Sequence, residues 1–182
     1  MTAMADDPAG RAADVLRGYL ACGDAGTLDD LGTWLHDDVV VHPSGGGPPY
    51  SGVPEAALTW AEAHEGLGSL RHEVHDVVAQ RLPDGDDRVV ARVRVSGTHD
   101  GAFLGLDPTG RPLAVDQGLF ARVSQGRITE LWEITDTGQA LQQLGVVGVD
   151  QPLTPGPRPA GQPEPSEPVE SPAATPTEPP DL

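Results

Sequence analysis

The sequence contains no lysine. All 11 basic residues among its 182 are arginines, and 28 acidic residues bring the formal charge to −17. The absence of lysine excludes a Walker-type phosphate loop and a pyridoxal Schiff base. The acidic excess argues against nucleic acid as a partner, because a phosphate backbone repels an acidic surface.

Cysteine and long apolar runs are also scarce. The single cysteine, Cys22, permits no internal disulfide and no cysteine-rich metal site. No run approaches the roughly 18 apolar residues that span a bilayer. The first residues lack the basic region and apolar stretch of a signal peptide. We therefore expect a cytoplasmic protein without a membrane partner.

The composition changes after Asp150. Residues 151–182 hold 11 of the 19 prolines and no aromatic residue. Such a segment cannot bury enough apolar surface to offset its ordering entropy. We predict a folded domain over residues 1–150 and a disordered Pro/Glu-rich tail over 151–182, which serves either docking or solubility.

Helical signals come early in the chain. A stripe of apolar residues predicts a helix over Pro8–Ala21, capped by Asp7. A second, short helix is expected from a Thr27 cap through Leu35. A glycine-rich loop over 44–52 then precedes a third helix that opens at Pro54.

Strand signals follow. Apolar and polar residues alternate from Leu70 onward, then in strands predicted over 88–98, 112–124 and 127–136. A short strand over 39–42 and a last helix over 139–144 complete the pattern. Helices followed by strands indicate an α+β fold, with helices on one face of a curved antiparallel sheet.

Three segments carry a family resemblance. Thr98-His-Asp-Gly-Ala-Phe-Leu-Gly-Leu-Asp-Pro-Thr-Gly-Arg111 resembles the T-H-x-G-x-F-x-G-x-x-P-T-G-R segment of SnoaL-like polyketide cyclases. Gly126-Arg-Ile-Thr-Glu-Leu-Trp132, with the later Leu141-Gln-Gln-Leu-Gly145, resembles that family's ending. Asp37-Asp-Val-Val-Val-His42 also fits, so the resemblance runs from about Ala12 to Val147.

The resemblance implies the cone-shaped fold shared with nuclear transport factor 2, ketosteroid isomerase and scytalone dehydratase. It also implies a homodimer packed through the outer sheet face. SnoaL-like cyclases close a polyketide ring by an intramolecular aldol addition, without a metal or an organic cofactor. One fold supports many activities, so the chemistry must be argued from the site.

The family's catalytic aspartate aligns with Glu133. A carboxyl group in an apolar cone should have a raised pKa, which suits a general acid–base. The alternative is a solvated or salt-bridged strand glutamate. The family's histidine position reads Leu119, while Gln117 on the same strand face matches the cyclase pattern and could orient a carbonyl oxygen.

Alternation along the last strand assigns its faces. One face holds Ile128, Glu130, Trp132, Ile134 and Asp136. Our hypothesis is that Trp132 and Ile134 lie on the outer, dimer-forming side, in which case Leu131 and Glu133 point inward. The predicted outer face also holds three arginines paired across strands with Glu130: Arg92, Arg94 and Arg122.

Further candidates have structural alternatives. His42 is expected at the mouth of the cone, as a positioning group or a partly exposed histidine. Asp136 is a rival carboxylate or a helix cap, and His99 a ligand contact or a structural residue. Five further residues are expected either to line the pocket or to belong to the core: Trp34, Tyr50, Trp60, Leu119 and Leu131. His72 and His75 lie three apart on a strand and face opposite sides, which argues against a metal pair.

Two functions follow from these residues. The first is a cofactor-free enzyme of secondary metabolism, a cyclase, isomerase or related enzyme, acting on a polyketide-like or polycyclic metabolite. Glu133 would be its base, with Gln117 and His42 positioning oxygens. The alternative is a non-catalytic ligand-binding or dimerisation module of the same fold.

Overall fold

The computed structural model describes residues 8–146, which all belong to one unit of the chain. The predicted Asp7 cap and the predicted tail from residue 151 lie outside this range. Within this range the chain forms three α-helices and six strands, in this order: α1 Pro8–Asp24, β1 Leu35–His42, β2 Tyr50–Ser51, α2 Val53–Gly66, β3 Leu67–Arg81, β4 Asp87–His99, β5 Pro112–Ser124, β6 Arg127–Thr135 and α3 Thr137–Leu144. None of these helices is long and apolar enough to cross a membrane.

The first helix carries the predicted apolar stripe. Its residues Ala12, Val15, Leu16, Tyr19 and Leu20 are all buried. They pack mainly against β3, with further contacts to β4. Burial of one face of α1 therefore supplies much of the layer that covers the sheet.

The region between α1 and α2 differs from expectation. The predicted second helix is a 3₁₀ segment, Leu28–Thr33, and the Thr27 side chain makes no cap hydrogen bond. Its hydroxyl instead donates to the Cys22 carbonyl at 3.3 Å. The predicted loop contains a 3₁₀ turn, Ser44–Gly46, and β2, which pairs with β1.

The six strands form one curved, unclosed sheet in the order β2-β1-β6-β5-β4-β3. All neighbours are antiparallel except β1 and β6, which are parallel. The all-antiparallel expectation was therefore wrong at this pair, because the chain passes through the rest of the sheet before β6 returns beside β1. The inner residues of β4 are buried as predicted: Val89, Ala91, Val93 and Val95.

Register shifts alter two predicted faces. In β6 the pairing with β5 shifts between Arg122 and Val123, so Ile128 and Leu131 are both fully buried. Ile128 therefore does not share the outer face with Trp132. In β3 a shift between Val74 and Asp76 leaves Val78 exposed. An extra residue in one strand moves every later side chain to the other face.

The predicted arginine pairs exist on the outer face, but with aspartates. Arg92 pairs with Asp76 at 2.8 Å and Arg94 with Asp116 at 3.0 Å. Arg122 pairs with Asp84 and Asp86 of the β3–β4 turn. Glu130 lies opposite Arg122 in register, yet its carboxylate contacts His42 instead.

Candidate functional site

A cavity of about 560 Å³ lies against the sheet, and residues of all three helices and of the loop after β1 line it. Its apolar walls include Leu67, Leu70, Val95, Phe103, Leu113 and Val115. A cavity of this size, mostly apolar with a few polar groups, is typical of small-molecule sites. The polar groups therefore indicate what chemistry the cavity can support.

Glu133 enters the cavity from β6. It pairs directly with Leu119 of β5, so an apolar side chain stands beside its carboxyl group on the inner face. Burial raises the pKa of the Glu133 carboxyl, and the nearby His72 imidazole opposes the rise. Part of the residue stays accessible because it borders the cavity. A carboxyl group whose pKa is raised in this way is better suited to take and return a proton than an exposed glutamate is.

Two tyrosines share the cavity with Glu133. Burial, assisted by the Glu133 charge, raises the pKa of Tyr50 to about 12. Burial also raises the pKa of Tyr19 well above its ordinary value, again with a contribution from Glu133. Both phenols thus keep their protons at neutral pH. The Trp60 indole N–H donates to the Tyr19 hydroxyl at 3.1 Å, which fixes both rings.

A chain of polar side chains borders the same cavity. The Gln117 amide donates to the Thr135 hydroxyl at 3.2 Å, and the Ser44 hydroxyl donates to the same oxygen at 3.0 Å. Within residues 8–146 the buried Oε1 of Gln117 has no hydrogen-bond partner. It is an acceptor available to a ligand hydroxyl, a use different from the predicted contact to a carbonyl.

His72 and Asp24 were missed by sequence reasoning as a functional pair. The His72 Nδ1 lies 2.6 Å from Asp24 Oδ1, and its backbone N–H donates to Oδ2 at 2.8 Å. His72 lines the cavity, whereas His75 is exposed. Strand alternation placed His72 on the same face as Leu70, and this was the only sequence signal that it points toward the cavity. No sequence motif links His72 to Asp24, which lies 48 positions earlier.

The structure brings together four of the predicted site residues. Glu133, Gln117, Tyr50 and Trp60 all line the cavity. Trp60 is also buried, so it serves the core and the cavity wall together. The catalytic and binding roles of these side chains stay predictions.

His42 is not among them. Its ring stacks on Trp132 with centroids 4.7 Å apart, and its Nε2 lies 3.0 Å from Glu130 Oε1. His42 and Trp132 belong to the outer face, where they border a shallow depression with Phe120 and Ile134. His42 pairs with Trp132 across β1 and β6, and this register turns its side chain away from the cavity.

Five other candidates do not line the cavity. The Trp34 indole packs so closely on α1 that a methyl group placed at Gly18 would come within 2.4 Å of it. Leu119 and Leu131 are fully buried core residues.

The remaining two hold chain segments in place. Asp136 caps α3 by accepting from the Gln139 N–H at 2.9 Å. His99 is fully buried, and its Nδ1 contacts the Thr109 hydroxyl at 3.0 Å. Both therefore follow the structural alternative that the sequence left open.

Comparison with known proteins decides the family. The SnoaL-like polyketide cyclase family model matches residues 13–144, which is most of the chain. The chain belongs to the SnoaL-like polyketide cyclase family. No curated protein matches the chain.

Solved structures of the SnoaL-like type share the fold. A proposed SnoaL-like polyketide cyclase from Jannaschia sp. CCS1 is 22% identical with a TM-score of 0.67, covering 76% of this chain and 95% of its own. IdmH from Streptomyces antibioticus, a proposed polyketide cyclase, is 29% identical with a TM-score of 0.62, covering 74% and 99%. AclR from Streptomyces galilaeus, a proposed hydroxylase, is 23% identical with a TM-score of 0.64, covering 80% and 87%.

This SnoaL-like chain departs from its family at one informative position. Leu119, where the resemblance implies a histidine, lies directly opposite Glu133. Its aliphatic side chain cannot supply a proton. The two positions are therefore neighbours, as the resemblance requires, with different chemistry at one of them.

Proposed function

We propose that the protein is a cofactor-free enzyme of the cyclase or isomerase type, with Glu133 as its general base. The observation that carries this proposal is the Glu133 carboxyl, which borders an apolar cavity and has its pKa raised by burial. The base would remove a proton from a carbon next to a carbonyl group. The protonated phenols of Tyr19 and Tyr50 would donate hydrogen bonds to ligand oxygens.

The substrate we propose is an uncharged, polycyclic or polyketide-like metabolite of secondary metabolism. The acidic groups that line the cavity are Glu62, Glu65 and Glu133. Among residues 8–146 no arginine lines it, and the chain has no lysine. An anionic ligand would therefore meet three acidic side chains with no arginine or lysine to offset them, and His72 would be the one basic side chain of the lining. The flat rings of Trp60 and Phe103 favour a planar apolar ligand.

A probe reaction tests the base. We would follow deuterium exchange into 2-tetralone, a neutral bicyclic ketone with acidic protons beside its carbonyl, in D₂O by proton NMR. The wild type should accelerate exchange, and Glu133→Gln should lower the rate by about 100-fold or more. Glu130→Gln, on the outer face of the same strand, is the matched control and should leave the rate unchanged. Equal rates for wild type and Glu133→Gln would disprove the role.

The alternative function is a non-catalytic binding module. The leucine at position 119 and the mostly apolar cavity favour it. Native mass spectrometry of protein purified from its own host, as wild type and as Glu133→Gln, separates the two functions. A co-purified small molecule that wild type converts and the variant retains supports the enzyme. A molecule held unchanged by both supports the binding module.

We also propose that two copies pair through their outer sheet faces. The depression there is bordered by Trp132, Phe120 and Ile134, and the last two are exposed apolar side chains. Val78 adds a third exposed apolar residue on the sheet. Burial of such side chains against a second copy would remove them from water.

A further inference from the structure

Asp24 holds one imidazole with both carboxylate oxygens. Its Oδ1 lies 2.6 Å from His72 Nδ1, and its Oδ2 accepts from the His72 backbone N–H at 2.8 Å. The His72 side chain is 9% exposed and that of Asp24 20%. The last residue of α1 thus fixes both the backbone and the ring of a residue on β3.

The other edge of the ring is free for a ligand. His72 lines the cavity, and no residue among 8–146 forms a hydrogen bond to its Nε2. The Trp60 ring packs edge-on against the imidazole at 5.1 Å between centroids. Since the Trp60 N–H already donates to Tyr19, it does not compete for that nitrogen.

A carboxylate on Nδ1 determines which tautomer faces the cavity. The proton shared with Asp24 stays on Nδ1, and Nε2 is left to exchange a proton with a ligand, as in hydrolytic triads. The other ionisable groups of the same cavity are Tyr19 from α1, Tyr50 from β2, Glu62 and Glu65 from α2, and Glu133 from β6. His64 of α2 stands beyond Trp60 and bonds to the Gly23 carbonyl.

We propose that His72, positioned by Asp24, is the second proton-transfer group of this site and acts on the ligand oxygen while Glu133 acts on the carbon. The proposal rests on the proposed function of Glu133. It assigns to β3 the imidazole that the family resemblance places on β5, where this chain has Leu119. His72 would be a catalytic residue and Asp24 a positioning residue.

The proton transfers balance between the two groups. The Glu133 carboxylate takes a proton from the carbon beside the carbonyl, and the C–H electron pair becomes the carbon–carbon double bond of an enol. The carbonyl oxygen takes the Nε2 proton of the His72 imidazolium. A protonated Glu133, a neutral imidazole and an enol result. The reverse transfers return a solvent-derived proton to carbon, which the exchange assay detects.

Deuterium exchange into 2-tetralone tests this assignment with three variants. His72→Asn keeps an amide N–H near the position of Nδ1 for Asp24 but cannot transfer a proton from Nε2. We expect it to lower kcat by about 100-fold. Asp24→Asn should lower kcat by less, with KM unchanged, because it misplaces the ring without removing it. His75→Asn, exposed on the same strand, is the control and should match wild type.

The outcomes separate this inference from the proposed function. Exchange that is lost in Glu133→Gln but retained in His72→Asn would overturn the inference and leave the function standing. A wild type without accelerated exchange would overturn both. Exchange lost in both variants and retained in His75→Asn supports the assignment.

A second measurement needs no variant of His72. We would record ¹⁵N NMR of the histidine-labelled wild type, with and without 2-naphthol as an enol analogue. The expected spectrum keeps a proton on His72 Nδ1 with and without 2-naphthol, while the Nε2 resonance shifts on binding. In Asp24→Asn the tautomers should mix. An Nε2 resonance that 2-naphthol leaves unmoved while it binds would contradict a catalytic role.

Discussion

At the scale of single residues, burial of the Glu133 carboxyl group lowers the stability of the folded chain once the group is ionised. Burial raises the pKa of Glu133 from its ordinary value of 4.5. The folded state therefore holds this proton more tightly than the unfolded chain does. Stability falls as the pH rises from about 4.5 through the raised pKa, at about 1.4 kcal/mol for each unit of difference.

Glu133→Gln should accordingly stabilise the ligand-free protein at neutral pH. The amide keeps the shape of the cavity wall without a charge to desolvate. The gain in melting temperature should grow as the pH rises above 4.5 and should vanish well below that pH, where the carboxyl is protonated in both states. Thermal unfolding at several pH values checks this. Glu130→Gln, which removes the partner of His42, should show no such gain, and a pH-independent difference for Glu133→Gln would contradict the argument.

The structure gives a physical reason for Gly101, the first glycine of the family-like segment Thr98–Arg111. A Cβ at this position would lie 1.9 Å from the Glu65 backbone carbonyl oxygen. The close approach lets the backbone N–H groups of Asp100 and Gly101 both donate to the Gly66 carbonyl at 3.1 Å. The motif glycine therefore joins the end of β4 to the end of α2, beside the cavity.

Gly101→Ala should lower the free energy of unfolding by about 1–3 kcal/mol, because backbone rather than a flexible side chain blocks the methyl group. Gly32→Ala is the matched control, since nothing stands within 4 Å of a Cβ there. Urea unfolding of the two variants measures the difference. Equal stabilities would show that the close approach relaxes at no cost.

At the scale of elements, register shifts and caps determine which side chains reach the cavity. Strict alternation along β6 assigned Ile128 outward, and the shift beside Val123 turned it inward. From Leu131 onward alternation holds, so Glu133 and Thr135 point to the cavity while Trp132 points away. The extra, unpaired residue is Thr129 of β6, and strict alternation did not predict it.

Substitutions of Asp136 test whether this carboxylate only caps α3 or also takes part in catalysis. Its carboxylate caps α3, which ends at Gly145 in the left-handed conformation, with φ of 84°. Asp136→Ala should cost about 1 kcal/mol of stability through the unsatisfied Gln139 N–H. It should leave 2-tetralone exchange at the wild-type rate. Asp136→Ser should restore the stability, and loss of exchange in a folded Asp136→Ser variant would instead assign Asp136 to the site.

At the scale of the whole molecule, the sheet has two faces with different tasks. One face is covered by helices and encloses the cavity. The other carries arginine–aspartate pairs together with exposed apolar side chains, Val78, Phe120 and Ile134 among them. Exposed ion pairs of this kind contribute little to stability, and in the proposed dimer they would lie at the polar rim of the interface.

Ile134→Asp should convert the proposed dimer into a monomer. The side chain is 62% exposed in a single copy and would be buried against the second, where an aspartate would lose its hydration. Leu58→Asp is the control, because Leu58 is similarly exposed, at 57%, on α2. Light scattering coupled to size exclusion gives the masses. A wild-type monomer would end the proposal.

The sequence by itself determined most of the helices and strands, the family and the inward position of Glu133. Local periodicity and the order of its motifs carry that information, and both are properties of contiguous residues. Only the tertiary structure decided that His42 turns outward to Trp132 and that His72 turns inward to Asp24. Those contacts join residues 48 to 90 positions apart, and their geometry depends on strand register and on where α1 ends against β3. Tertiary packing therefore decides which polar side chains reach the cavity, while local sequence patterns predict the fold that encloses it.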